Sequence, residues 1–127
     1  MSTQNFNQSA TALIVEDNVD LANVYSIALN EAGFQTETLY DGAVAMSKLA
    51  IDTPDLVILD LGLPNVPGED ILSYIRSEDR LAHTRVIITS ADQRLATMLG
   101  GSGVIVLVKP VSFKQLRELS ARLKSLI

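Results

Sequence analysis

The sequence predicts an α/β fold: one doubly wound sheet of five parallel strands, built from five successive β–α units. Three observations predict it. Five short aliphatic or β-branched runs alternate with five helical patterns. The third and fifth runs show little polar alternation, as strands covered on both faces do. The length, 127 residues, suits one domain with a sizeable core.

The elements follow in order. The first strand is expected over Ala12–Val15, and a helix over about Asp20–Ala32. There Leu21, Val24, Tyr25, Ala28, Leu29 and Ala32 recur at helical spacing, and Gly33 offers a left-handed cap. A weaker strand, Gln35–Leu39, leads to a helix over Gly42–Ala50 that stops before Pro54. The third strand, Leu56–Leu59, precedes a helix over Glu69–Arg76. The fourth, Val86–Thr89, precedes a short helix, Arg94–Leu99, that ends at Gly100-Gly101. The fifth, Val104–Val108, precedes a helix over Phe113–Leu126. Ser112 and Gln115 form a capping box there, and Leu116, Leu119, Leu123 and Leu126 form a buried stripe. Met46 and Met98 read as packing residues on their helices, and His83, the single histidine, as an exposed loop residue. Residues 1–10 are polar and read as a disordered lead-in, with the folded domain over 11–127.

Composition removes whole classes of function. There is no cysteine, hence no thiol nucleophile, disulfide framework or cysteine metal site. Cysteine absence fits a cytoplasmic location, which is the expected one. No apolar run approaches the roughly 20 residues that cross a membrane. The net charge is -5, and from Lys109 onward five bases face one acid, so the rest of the chain is strongly acidic. Such a body argues against direct binding of nucleic acid through its phosphates. The basic C-terminal stretch reads as a solvated helix surface.

Open sheets of this class place their sites just beyond the carboxyl ends of the strands. Four strands end in chemistry: Glu16-Asp17, Asp60, Ser90 and Lys109-Pro110. Three carboxylates in one cleft repel, so either some are protonated or a cation sits among them. An oxygen-only set favours a hard ion, Mg²⁺ or Mn²⁺. Asp17 and Asp60 are the best direct ligands, with Glu16 acting directly or through water. A carboxylate such as Asp60 can attack phosphorus and become an aspartyl phosphate. That reaction needs positioning and neutralised charge, which a cation, the Lys109 ammonium and the Ser90 hydroxyl would supply. Taken singly, each residue has a plainer explanation: a helix N-terminal acidic cluster, a surface lysine, a strand-end hydroxyl. It is the ordered set that carries chemistry. The loop from Leu61 to Gly68 holds two prolines and two glycines and reads as a defined turn.

These residues resemble the receiver domain of response regulators in two-component signalling. The matching features are Glu16-Asp17, Asp60 with Pro64 and Gly68 four and eight residues on, Ser90-Ala91, and Lys109-Pro110. The likeness covers about Thr11 to Leu126. It implies a flavodoxin-like strand order 2-1-3-4-5. It implies that Asp60 accepts a phosphoryl group from a phosphohistidine on a sensor histidine kinase or histidine phosphotransfer protein. Glu16, Asp17, Asp60 and the Gly62 carbonyl would hold Mg²⁺, and Ser90 and Lys109 would contact the phosphoryl oxygens. The Lys109-Pro110 peptide would be cis. Slow self-dephosphorylation would follow by water attack, with no other enzyme activity. Movement of Ser90 would remodel the face of helix four, strand five and helix five for a downstream effector protein or domain. A homodimer through that face is compatible with the resemblance.

Two departures bear on the switch. Where relatives often carry Tyr or Phe three residues before the lysine, this chain has Val106. The turn before strand five reads Gly100-Gly101-Ser102-Gly103, without the acidic residue usual there. An interaction module that keeps the fold and works unphosphorylated is therefore the alternative reading. A phosphatase of the haloacid-dehalogenase type needs a second Asp two residues after the first, where Gly62 stands. A flavodoxin would need a hydroxyl- and glycine-rich loop where Glu16-Asp17-Asn18 stands. The sequence leaves open whether the receiver stands alone or belongs to a longer regulator.

Overall fold

The computed structural model describes residues 9–99 and 103–127. The expected lead-in over 1–10 lies almost wholly outside the described residues, as do Gly100, Gly101 and Ser102. The elements run β1 (Thr11–Val15), α1 (Val19–Glu31), β2 (Gln35–Leu39), α2 (Gly42–Leu49), β3 (Leu56–Asp60), α3 (Gly68–Ser77), β4 (Arg85–Ser90), α4 (Gln93–Leu99), β5 (Ile105–Val108) and α5 (Phe113–Lys124). A 3-10 turn, Asp79–Leu81, joins α3 to β4.

The sheet has the order β2-β1-β3-β4-β5, all parallel. Alternate residues of β1, β3, β4 and β5 serve two cores. Ala12, Ile14, Leu56, Ile58, Ile87 and Leu107 pack with Tyr25, Ala28 and Leu29 of α1 and Leu116 and Leu123 of α5. Leu13, Val15, Val57, Leu59, Val86 and Ile88 pack with Ala45 and Leu49 of α2 and Ile71, Leu72 and Ile75 of α3. This is why β3 reads as an unbroken aliphatic run: all five of its residues are buried. Each buried Leu or Ile contributes about 1.5–3 kcal/mol.

Four expectations need correction. In α1, Val24 is 40% exposed while Ala22 is fully buried. The buried face centres on Ala22, Tyr25 and Ala28–Leu29, and Val24 stands about 100° off Tyr25 around the helix. Leu126 is 63% exposed, because α5 ends at Lys124 and the chain leaves the helical stripe. Met98 is 75% exposed on α4, a seven-residue helix with no fully buried residue, so it packs little; Met46 is half-buried against the core. Finally, β5 begins at Ile105, and three of its four residues are only half-buried, as befits the sheet edge.

Candidate functional site

The carboxyl ends of β1, β3, β4 and β5 meet at one rim, and the expected residues meet with them. Val15 is in register with Leu59, and Asp60 with Thr89, so Glu16 and Asp60 leave adjacent strands side by side. Glu16 and Asp60 are buried and Asp17 is exposed. One carboxylate oxygen from each of the three lies within 4.8 Å of the others.

Lys109, one residue past β5, reaches back into this group. Its Nζ donates to Glu16 Oε1 at 3.1 Å and stands 3.3 Å from Asp60 Oδ1. The Lys109-Pro110 peptide is cis, as the resemblance implies. Asp60 Oδ1 also accepts the Gly62 N–H at 3.1 Å. No protein donor among the described residues takes Asp60 Oδ2. Glu16 Oε2 accepts the Asn18 N–H at 3.1 Å, and Asn18 in turn caps α1 by accepting the Leu21 N–H at 3.0 Å. The loop that carries the acids is thus fixed to the first turn of α1.

Electrostatics follow from burial. Desolvation pushes the Glu16 carboxyl above its ordinary range, and the Asp60 charge adds to that push. The Asn18 N–H and the Lys109 ammonium oppose it. For Lys109, burial pulls the ammonium down, but Glu16 and Asp60 together outweigh it and hold the group above its ordinary value. The lysine therefore stays charged and offsets part of the carboxylate repulsion. The donor chemistry fits a hard divalent cation: carboxylate oxygens converge, and no nitrogen or sulfur ligand is among them.

Ser90 is buried at the end of β4, and its Oγ accepts the Asp92 N–H at 3.0 Å. All these residues line one open cleft of about 520 Å³, together with Leu61, Glu69, Ala91 and Leu95. A second groove, of about 410 Å³, lies beside β1, β2 and the end of α2. There Lys48 is already paired with Glu37 at 3.1 Å and Asp52 at 2.9 Å.

The structure also explains two loop residues, Gly68 and Asn65, and adds three others. At Gly68 a Cβ would come within 2.7 Å of the Asp60 carbonyl oxygen and the Leu61 Cα, so α3 can start directly against the acceptor strand only with glycine. Asn65 takes a left-handed φ of 70°, and its side chain donates to Asp41 Oδ2 at 3.0 Å. Reasoning from sequence missed Asp41, although Asp before Gly-Ala-Val is a helix N-cap signal. It also missed Thr89 and Tyr25, whose hydroxyls are buried without a partner. The signal for Thr89 was a hydroxyl standing in an otherwise aliphatic strand.

Comparisons with known proteins identify the family. The family model for the response regulator receiver domain matches residues 12–121. The transcriptional regulatory protein TrcR of Mycobacterium tuberculosis is 34% identical over 117 residues, 91% of this chain and 44% of TrcR. The chain spans half or less of the first curated relatives it matches. Among solved structures, the signal receiver domain of a protein described as a Luxo repressor in Vibrio parahaemolyticus is 31% identical. It covers 93% of this chain and 96% of its own, with a TM-score of 0.77. The response regulator TrrA of Thermotoga maritima, solved with Mg(2+)-BeF, is 25% identical, covers 90% and 98%, and has a TM-score of 0.77.

Proposed function

This chain belongs to the response regulator receiver domain family of two-component signalling, and we propose that it is switched by a phosphoryl group carried on Asp60. The donor is a phosphohistidine on a sensor histidine kinase or phosphotransfer protein. The observation that carries this reading is the convergence of Asp60 with Glu16, Asp17 and the Lys109 ammonium at one open cleft.

Each residue has a role in that reading. Asp60 Oδ1 is held by the Gly62 N–H and Lys109, which leaves Oδ2 to form the new P–O bond as the donor P–N bond breaks. Lys109 and Ser90 receive the transferred phosphoryl oxygens, the lysine by charge and the serine by its hydroxyl. Glu16, Asp17, Asp60 and the Gly62 carbonyl would hold Mg²⁺, with Mn²⁺ as a substitute. When bound, the ion neutralises charge on the phosphoryl oxygens. The Mg(2+)-BeF complex of TrrA supports the same ion here. Slow hydrolysis by water resets Asp60.

For output, the Ser90 hydroxyl, whose oxygen accepts the Asp92 N–H, turns to donate its O–H to a phosphoryl oxygen and draws the start of α4 with it. The face of α4, β5 and α5 then binds or releases an effector protein or domain, and a homodimer can form there. Relatives named as transcriptional regulatory proteins are consistent with an output of that kind. The receiver unit spans 11–127 after a short lead-in, and it does not itself bind nucleic acid. No described helix is long and apolar enough to cross a membrane, and we place its action in the cytoplasm.

Intact-mass measurement tests the reading. Acetyl phosphate with Mg²⁺ should add one phosphoryl group to the wild-type chain and none to Asp60→Asn. A wild-type mass that never moves would instead make the chain an unphosphorylated interaction module.

A further inference from the structure

Thr89 and Tyr25 each bury a hydroxyl that has no hydrogen-bond partner. Buried hydroxyls are normally paired, so both need a reason to be there. Their position supplies one. Thr89 is the register partner of Asp60, so the two side chains leave the same face of the sheet on adjacent strands about 5 Å apart. That face is the one covered by α1 and α5, and Leu107, two residues before Lys109, is the partner of Thr89 on its other side. Tyr25 belongs to the same core. Helical side chains lean toward the helix N-terminus. The N-terminus of α1 lies at the rim, two residues after Asp17. The phenol therefore reaches up beneath the site from the second turn of α1. Burial raises its pKa, and the charges of Lys109, Glu16 and Asp60 all act on it, the lysine most strongly.

Donor accounting gives the pair a task. The Lys109 ammonium has three N–H donors, and Glu16 and Asp60 account for two. We propose that Tyr25 and Thr89 are positioning residues for Lys109: as the ammonium turns toward a phosphoryl group on Asp60, their hydroxyl oxygens receive its remaining N–H, directly or through one water. The inference rests on the reading of Asp60 as phosphoryl acceptor. In the resting state the two carboxylates aim the ammonium so that its third N–H does not meet either hydroxyl, and both go unpaired. In the phosphorylated state they keep a charged N–H from being left without an acceptor in the interior, and so fix the direction of the ammonium.

The test uses isosteric replacements. Tyr25→Phe and Thr89→Val remove one oxygen each and leave the packing shape. Each should slow the maximal rate of phosphorylation by acetyl phosphate with Mg²⁺ about fivefold, with KM unchanged. If both serve one N–H, the double variant should be no slower than the slower single. Melting temperatures should stay level or rise, because each replacement removes an unpaired buried hydroxyl. Ser120, a third buried and unpartnered hydroxyl, lies two turns down α5 from the rim, so Ser120→Ala should leave the rate alone. A readout independent of turnover is the Tyr25 ¹³Cζ resonance, identified by its loss in Tyr25→Phe. It should move when Mg²⁺ and beryllofluoride are added to the full chain. Variant rates within twofold of wild type, rates that fall only in step with melting temperature, or a stationary Tyr25 resonance would overturn the inference and leave Asp60 as acceptor. A wild-type chain that takes no phosphoryl group overturns both.

Discussion

At Asp41 one carboxylate ties two loops of the rim together. Its Oδ1 accepts the Ala43 and Val44 N–H groups at 2.6 and 3.4 Å and caps α2. Its Oδ2 accepts the Asn65 side-chain amide at 3.0 Å and so holds the loop that follows Asp60. The Ala43 and Val44 N–H groups, with Asn65, hold the Asp41 carboxyl below its ordinary 3.8. The sign of the pH effect follows. A carboxyl whose folded value is depressed stabilises the fold above its unfolded value, and that contribution disappears as pH falls through the folded value. Asp41→Asn supplies a reference that cannot titrate there. We expect wild type to be the more stable of the two at neutral pH, with a melting temperature a few degrees higher. The difference should shrink as pH is stepped below 3.8. Urea denaturation of both proteins across that range checks it. A difference that stays constant would remove the carboxylate from the account.

At the scale of the element, α1 shows both what the sequence reveals and what it conceals. Its existence, its length and its end at Gly33 were legible. Apolar residues recur at helical spacing, and Gly33 takes a φ of 106° that other residues rarely adopt. Which residues face the sheet was not legible, because Ala22 and Val24 are both apolar and periodicity alone cannot rank them. The packing distance decides between them: a fully buried Ala22 and Ala28 let α1 sit close to β1 and β3, and the larger Val24 is turned outward. The expected consequence is sharp. Val24→Lys should leave stability within about 0.5 kcal/mol, as a surface change does. Ala22→Lys forces an unpaired charge and extra volume into the core, and should cost about 4 kcal/mol or prevent folding. Chemical denaturation of the two variants distinguishes the two faces. The same limit explains Met98 and Leu126: hydrophobic type was read correctly, but their elements give them nothing to pack against. The site was more legible than the faces, since Glu16, Asp17, Asp60, Ser90 and Lys109 each stand at or just past the end of a strand, where topology alone brings them together. Tyr25 and Thr89 lie inside their elements, and only the strand register for Thr89 and the packing of α1 for Tyr25 place them beside the site.

For the whole molecule, the sheet order is what lets one ammonium balance several acids. Lys109 follows the edge strand β5, and the Glu16 it bonds is 93 residues earlier, on the far side of β3 and β4. Bringing them together costs chain entropy and desolvation, and the carboxylates repel without a cation. On the function proposed above, lysine and a divalent ion would therefore act on the same oxygens. Lys109→Met keeps the aliphatic stem and removes the charge. In divalent-free buffer it should lower stability by about 2 kcal/mol, because Glu16 and Asp60 lose their partner inside the protein. Added Mg²⁺ should stabilise both proteins through linkage to the folded state. The gain should be larger in Lys109→Met, where no ammonium competes for the carboxylates. Thermal melts of wild type, Lys109→Met and Asp17→Asn over a Mg²⁺ series measure this directly. Asp17→Asn should show the smallest gain, since it keeps the competing lysine and loses one carboxylate. Equal gains in wild type and Lys109→Met would mean that the ammonium and the ion do not share Glu16 and Asp60.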